Sequence, residues 1–418
     1  MVLTIYAVIF WTMQNIIDKG GVAVKIFRKI ISVSILITII FTLNVKAEEM
    51  KAPDVKALGA VLMDEKSGRV LWEKNAFEPL ANASTTKIMT CILAIESGKL
   101  DETVTASKNA AVQPKTKMGL SVGEQIKLKD LLYALMLQSS NDAAVAIAEH
   151  ISGSVDDFCS LMNEKAQDIG AVDTNFETPN GLDKGEHHST AYDMAVITCY
   201  ALKNETFADI INTRQVNIKS DRRTYTVINK NRLLNEYDGA IGVKTGFTGK
   251  AGNCFVGAAE RDGMKLVSVV LGSGWGKVGK ERKWIDTKNI LNYGFDNYKY
   301  YDLCISGDYI ADIPVKNSYN KRVGVSVSKG ITIPLNYDEK ENIKAEIQLP
   351  NTIDAPVVKG DEIGSIIFKV NEETVLAECK LTADDNVEKK DVKTTASMLI
   401  KYWINPLKSD ILKNSVHT

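Results

Sequence analysis

The sequence predicts an α+β fold: one antiparallel sheet flanked by helices, with a helical insertion between its strands, followed by a small C-terminal all-β domain. Three observations predict it. Paired apolar runs around glycine turns occur near residue 60 and again near residue 262. Between them, residues 129–202 carry apolar side chains at helical spacing. After about residue 300 the pattern changes to short alternating runs. Strands that bracket a block of helices give an α+β layout, because the strands can pair only after the helices have been set aside as one insertion.

Taken in order, residues 1–47 read as a signal peptide. Lys25, Arg28 and Lys29 form a basic segment, Ile30 to Leu43 is an uncharged run of 14 residues, and Val45-Lys46-Ala47 places small residues where a signal peptidase cuts. The run is shorter than the roughly twenty residues a membrane span needs. Residues 1–23 fit no such leader, so the true start is expected near Val22 or Val24. Leu58–Met63 and Val70–Trp72 flank Asp64-Glu65-Lys66-Ser67-Gly68 as a hairpin. Asn82 is placed to cap a helix from about Ser84 to Glu96, stopped at Gly98. Helices follow over Leu131–Leu137, Ala143–Ile151, Phe158–Asp168 and Asp193–Leu202. Cys254–Ala259 and Lys265–Leu271 form a second hairpin around Arg261-Asp262-Gly263, and Trp284–Tyr293 a closing helix. These elements define an α+β domain over 48–299, which the motifs below make the catalytic one. Arg322–Val327, Lys344–Leu349, Ile363–Val370 and Val375–Lys380 supply strands of an all-β domain over 300–383. Residues 384–418 read as a charged linker and an amphipathic helix from Ser397 to about Lys413. In it Met398, Leu399, Tyr402, Trp403, Ile404, Leu407, Ile411 and Leu412 form the apolar band, with Pro406 as a kink.

Composition removes several function classes. The 418 residues carry a formal net charge of −1, which excludes a strongly cationic nucleic-acid binder. Four histidines show no metal-binding spacing, so no metal and no cofactor is expected. Six cysteines, at 91, 159, 199, 254, 304 and 379, include no C-x-x-C pair, and a chain this long needs no disulfide framework to hold its core.

Three short motifs carry the chemistry: Ser84-Thr85-Thr86-Lys87, Ser139-Ser140-Asn141 and Lys244-Thr245-Gly246. Each alone is weak. S-x-x-K recurs at Ser318–Lys321 and Ser326–Lys329, and Lys66-Ser67-Gly68 repeats the third motif inside a hairpin turn. Ser84 could cap a helix, Ser139 and Asn141 could sit at a turn and a cap, and Lys244 could lie on the surface. Context separates the sets. On a helix, residues three apart share a face, so Lys87 can reach Ser84, whereas Ser326 and Lys329 sit in a strand-like run. The order and spacing of the trio, 55 residues and then 105, match a serine acyl-transfer site.

The chain resembles the D-alanyl-D-alanine carboxypeptidases, the low-molecular-mass penicillin-binding proteins. The resemblance rests on Pro79 to Thr90, on Leu131 to His150, on Thr178-Pro179-Asn180-Gly181-Leu182, on Ser189 to Ala195 and on Gly242 to Thr248. It implies the penicillin-binding/β-lactamase-like transpeptidase fold, and an enzyme that removes the terminal D-alanine from peptidoglycan stem pentapeptides and is inhibited by penicillin. Ser84 would be the nucleophile and Lys87 its base, neutral through burial and the nearby Lys244. Ser139 would relay a proton to the departing amine, and Asn141 would hold the substrate amide or orient Lys87. Lys244 and Thr245 would bind the terminal carboxylate, and Gly246 would let substrate approach a strand edge. The resemblance places the oxyanion hole on the backbone N–H groups of Ser84 and Phe247. It also implies β-lactams as ligands, the C-terminal helix on a membrane surface, and residence outside the cytoplasmic membrane. The competing readings are a β-lactamase-like hydrolase and a non-catalytic wall-binding protein. Glu177-Thr178-Pro179-Asn180 lacks the spacing of a deacylating glutamate loop and reads as a turn, while His187 and His188 read as solvent-facing.

Overall fold

The computed structural model describes residues 51–371, 374–390, 395–397 and 399–400. The signal-peptide reading and nearly all of the amphipathic-helix reading fall outside these residues. The catalytic domain opens with β1 (Gly59–Asp64) and β2 (Val70–Lys74). A 3₁₀ turn, Ala83–Thr86, runs directly into α1 (Lys87–Glu96). The insertion then comprises β3 (Thr103–Thr105), α2 (Lys108–Ala111), β4 (Gln125–Lys127), α3 (Leu128–Leu137), α4 (Asn141–Ser152), α5 (Val155–Asp168), α6 (Ala191–Leu202) and α7 (Glu205–Asn212). The hairpin β5 (Gln215–Lys219)–β6 (Thr224–Ile228) and the short α8 (Leu233–Glu236) lead to β7 (Ala240–Thr248), β8 (Gly252–Arg261), β9 (Met264–Leu271) and the long α9 (Gly276–Asn297).

The five-stranded sheet runs β2-β1-β9-β8-β7, antiparallel throughout. Its central strands are buried on both faces, and their period of two divides them between two cores. Val61, Met63, Val256 and Val267 face the helical insertion, while Ala60, Leu62, Phe255 and Leu266 face α9 through Trp284, Ile290 and Leu291. β7 is an edge strand, so one side of its backbone is free to meet another chain.

The hairpins and helices predicted between residues 58 and 293 are present with ends shifted by a few residues, and α9 begins eight residues earlier than expected. Two strand pairs, β3–β4 and β5–β6, escaped prediction because each strand buries only one side chain. Asn82 does not cap the helix that follows it. It is buried, and its amide donates to Thr86 Oγ1 at 3.1 Å instead of accepting from the first turn.

The C-terminal domain adds β10 (Lys299–Cys304), β11 (Tyr309–Lys316), β12 (Arg322–Val327), β13 (Ile331–Leu335), α10 (Tyr337–Asn342), β14 (Ile343–Gln348), β15 (Ile353–Asp354), β16 (Glu362–Val370) and β17 (Thr374–Ala383). Six strands form one sheet, β14-β16-β17-β12-β11-β15, and β10 pairs with β13. Residues 384–390, expected as linker, are folded onto this domain. Val387 bridges Val357, and the Asp384 carboxylate accepts from Ser326 Oγ at 2.9 Å. Charge alone suggested a linker, but Val387 is buried in the β core.

Candidate active site

The three motifs converge although they come from a turn, a helix N-terminus and a sheet edge. Ala83, just before Ser84, holds φ at +49°, and Ser139 holds +65°. Two non-glycine residues in the left-handed region beside one cleft cost on the order of 1–3 kcal/mol each, strain that surrounding packing must sustain. Around Ala83 the packing is tight: a Cβ at Gly181 would lie 1.9 Å from the Ala83 carbonyl oxygen, so only glycine fits there. Thr90 Oγ1 donates to Pro179 O at 2.6 Å, tying the same loop to α1.

Lys87 is the first residue of α1 and is fully buried. Its Nζ lies 2.9 Å from Ser84 Oγ, 2.8 Å from Asn141 Oδ1 and 2.5 Å from the Asn180 carbonyl oxygen. Ser84 belongs to the 3₁₀ turn rather than to the helix, which does not separate it from Lys87, because three-residue spacing also aligns side chains in that geometry. Burial pushes the Lys87 ammonium well below its ordinary value, and the positive Lys244 pushes the same way while Asp142 opposes them. A neutral amine has two hydrogens. The carbonyls of Asn141 and Asn180 take both, which leaves the lone pair aimed at the Ser84 hydroxyl.

Asn141 opens α4, and its amide also donates to Pro114 O at 3.1 Å. Ser139, in the short connection before α4, lines the cleft. Lys244 lies on β7, buried, with Nζ donating to Thr245 O at 2.9 Å. Burial first, then the positive Lys230 and Lys283, lower it to about 7. Gly246 lies two residues further along the same strand. A Cβ there would meet Ser84 N at 3.1 Å and Asn82 O at 3.2 Å, so the glycine lets the turn that carries Ser84 approach the strand closely.

The resulting cleft, of about 320 Å³, is lined by Ser84, Ser139, Thr245, Gly246 and Phe247, together with Thr116, Gln138 and the cations Lys115, Lys230 and Lys283. Among the described residues, no carboxylate lines it. Lys283 is held down to about 8, chiefly by burial. Sequence reasoning missed these cations. Lys283 closes the run Lys280-Glu281-Arg282-Lys283, which reads as a solvated helix face, and Lys230 stands between two asparagines with no motif around it. It also missed the Asn180 carbonyl, since a backbone acceptor has no sequence signature beyond the loop that carries it.

His187 departs from the sequence reading. Its ring is buried rather than solvent-facing: Glu177 N–H donates to Nδ1 at 3.0 Å, so Nε2 carries the proton and donates to Thr86 Oγ1 at 2.9 Å. Burial holds the ring down to about 4, so it stays neutral. His188 is half-buried, with Nδ1 beside Glu186 O at 2.6 Å. Among the described residues, no group of three metal-binding side chains lies together.

A buried lysine beside a serine, an edge strand facing them and a cationic cleft suit serine acyl transfer. Residues 46–274 match the D-alanyl-D-alanine carboxypeptidase family, and residues 298–389 match the C-terminal domain of penicillin-binding protein 5. The chain is 35% identical to D-alanyl-D-alanine carboxypeptidase DacF of Bacillus subtilis, over 83% of this chain and 90% of that one. The D-alanyl-D-alanine carboxypeptidase of Streptomyces sp. K15 is 34% identical, over 60% of this chain and 90% of its own length. Penicillin-binding protein 5 of Haemophilus influenzae superposes with a TM-score of 0.72 at 30% identity, covering 81% of this chain and 99% of that one. The chain therefore belongs to the D-alanyl-D-alanine carboxypeptidase family, as a serine-type carboxypeptidase.

Proposed function

We propose that Ser84 is the nucleophile through which this enzyme removes the terminal D-alanine from peptidoglycan stem pentapeptides. The observation that carries the assignment is the hydrogen-bond set of Lys87, which leaves a neutral amine's lone pair on the Ser84 hydroxyl. Lys87 takes the Ser84 proton as Oγ attacks the carbonyl carbon of the penultimate residue. The oxyanion that forms is met by the backbone N–H groups of Ser84 and Phe247. Ser139 passes the proton that Lys87 took on to the D-alanine nitrogen as the C–N bond breaks, which returns Lys87 to its neutral form. Water, deprotonated by Lys87, then cleaves the acyl-Ser84 ester, and the tetrapeptide leaves with a new carboxylate.

Thr245, Lys230 and Lys283 line the cleft where the substrate's terminal carboxylate binds, and Asn141 orients Lys87. Lys244, buried beside Thr245, contributes its charge with Thr245 to binding that carboxylate. β-Lactams, which carry a carboxylate next to a reactive amide, acylate the same serine.

Fluorescent-penicillin labelling and D-alanine release from a pentapeptide test this. Ser84→Ala is expected to abolish both, and Lys87→Ala to reduce both by at least about 100-fold, the lower range for loss of a general base. Labelling that survives in Ser84→Ala would overturn the assignment.

Localisation rests on sequence pattern. The enzyme is exported through the 1–47 signal and held on the outer face of the cytoplasmic membrane by the helix from Ser397 to about Lys413, with the catalytic and β domains on either side of residue 299. No helix among the described residues is long and apolar enough to cross a membrane. A chain ended at Asp391 is expected to leave membranes as a soluble, active carboxypeptidase. Retention on the membrane would rule out the helix as anchor.

A further inference from the structure

Cys91, Cys159, Cys199 and Cys254 are buried at separate places in the catalytic domain, on α1, α5, α6 and β8. The remaining two are 75 positions apart in sequence yet meet in the β domain. Cys379 Sγ, on β17, lies 3.4 Å from Lys329 O. Cys304, the last residue of β10, pairs with Ile331, and a Cβ on Gly330 would lie 3.1 Å from the Cys304 carbonyl oxygen. Both cysteines therefore converge on the turn Lys329-Gly330 that joins β12 to β13, and both belong to one apolar cluster. Burial pushes the Cys379 thiol up to about 11, with the Cys304 thiol beside it adding to the rise. Cys304 is half-buried and open to solvent on one side.

We propose that Cys304 and Cys379 form a reversible disulfide that staples the strand entering the β domain to the centre of its main sheet. The oxidant is a disulfide-bearing thiol carrier, small molecule or protein. Its disulfide is attacked by the Cys304 thiolate, which releases one carrier thiolate and leaves a mixed disulfide on Cys304. Cys379 loses its proton and attacks the Cys304 sulfur, which expels the second carrier thiolate. Two thiols are oxidised, one disulfide is reduced, and two protons are released. The bridge closes a long loop, which restricts the unfolded chain more than the folded one. It lies in the entry strand β10, whose Tyr300 hydroxyl reaches back to Asp64 of the catalytic domain at 2.6 Å, so it fixes the segment through which the two domains are joined.

The full-length chain, reduced with dithiothreitol and then exposed to oxidised glutathione, provides the test. Thiols titrated after denaturation should fall from six to four, with a peptide linked through residues 304 and 379. Cys379→Ser should stop at a glutathione adduct on Cys304, and Cys304→Ser should keep its thiols reduced. The oxidised wild type should melt about 5–10 °C above the reduced form, with no such rise in either variant. Six persisting thiols, a bridge between other cysteines, or a 304–379 bridge without a rise in melting temperature would each overturn the proposal. None of these readouts requires D-alanine release, so the assignment of Ser84 stands or falls separately.

Discussion

Lys244 illustrates how one residue can act through its charge from a buried position. A positive neighbour disfavours a second ammonium, so Lys244 helps hold Lys87 in its basic form. Replacing it by an uncharged side chain of similar length removes that push. For Lys244→Met the acid limb of the pH profile for penicillin acylation is therefore expected to move to higher pH. A shift to lower pH would contradict the coupling. The same substitution changes the pH dependence of stability. Lys244 is lowered in the folded state to about 7 from an ordinary 10.5, so between those values the unfolded chain binds more protons. Wild-type stability then rises with pH across that window, by up to about 1.4 kcal/mol per unit for this one group. Urea unfolding of Lys244→Met at pH 7, 8 and 9 should show a slope shallower by up to that amount. Lys283 is positioned differently, on the cleft wall. Lys283→Ala should lower kcat/KM for a C-terminal acid by roughly 10–100-fold, the effect of losing a charge-assisted contact, and leave a C-terminal amide nearly unchanged. Equal losses for both substrates would remove Lys283 from carboxylate recognition.

At the scale of elements, the N-terminus of α4 organises the cleft floor. The buried Asp142 carboxylate accepts from the backbone N–H groups of Met118, Gly119 and Leu120 at 3.0, 2.7 and 3.0 Å. Asn141 N–H donates to Thr116 O in the same loop. One turn of helix thus clamps the segment that brings Lys115 and Thr116 to the site. Asp142→Asn keeps the shape but removes the charge and replaces one acceptor by a donor facing N–H groups. A stability loss of about 2–3 kcal/mol is expected, read as a lower urea midpoint. Because Asp142 favours the charged form of Lys87, the acid limb of acylation should move to lower pH, opposite in sign to Lys244→Met. This arrangement also explains what could be read from sequence. Ser84, Lys87, Ser139, Asn141 and Lys244 sit in contiguous motifs whose spacing is set by local geometry, so their grouping was legible. Asp142 was legible only as a cap residue, since its partners lie more than twenty positions away in a loop with no pattern. His187 was misread for the same reason. A polar residue in a loop is normally solvated, and only the packing of Phe176 and Thr86 around the ring makes it buried.

At the scale of the whole molecule, the active site and the join to the β domain occupy opposite edges of one sheet. The site uses β7 and the join uses the β1–β2 hairpin beside edge strand β2, four strand spacings away. At about 4.8 Å per spacing this separates them by roughly 19 Å. The join is built from Tyr298, whose hydroxyl donates to Leu71 O at 2.9 Å, and Tyr300, whose hydroxyl donates to Asp64 Oδ1 at 2.6 Å. Arg69 adds contacts to the Pro334 carbonyl and the Glu339 carboxylate. Asp64 is fully buried and also holds Ser67 of the hairpin turn, so the carboxylate serves turn and join together. Tyr300→Phe removes one donor from a buried carboxylate that keeps its Ser67 partners. The expected loss is about 1 kcal/mol, at the centre of the range for a single hydrogen bond. Adding Arg69→Ala should loosen the β domain further, so that calorimetry resolves two transitions where the wild type shows one. Penicillin acylation in this double variant is expected to stay within about threefold of wild type, because no group at the join touches Ser84, Lys87 or their partners. If acylation instead fell in step with the loss of the second domain's stability, the sheet would be transmitting strain from β2 to β7, and the two edges could no longer be treated as independent.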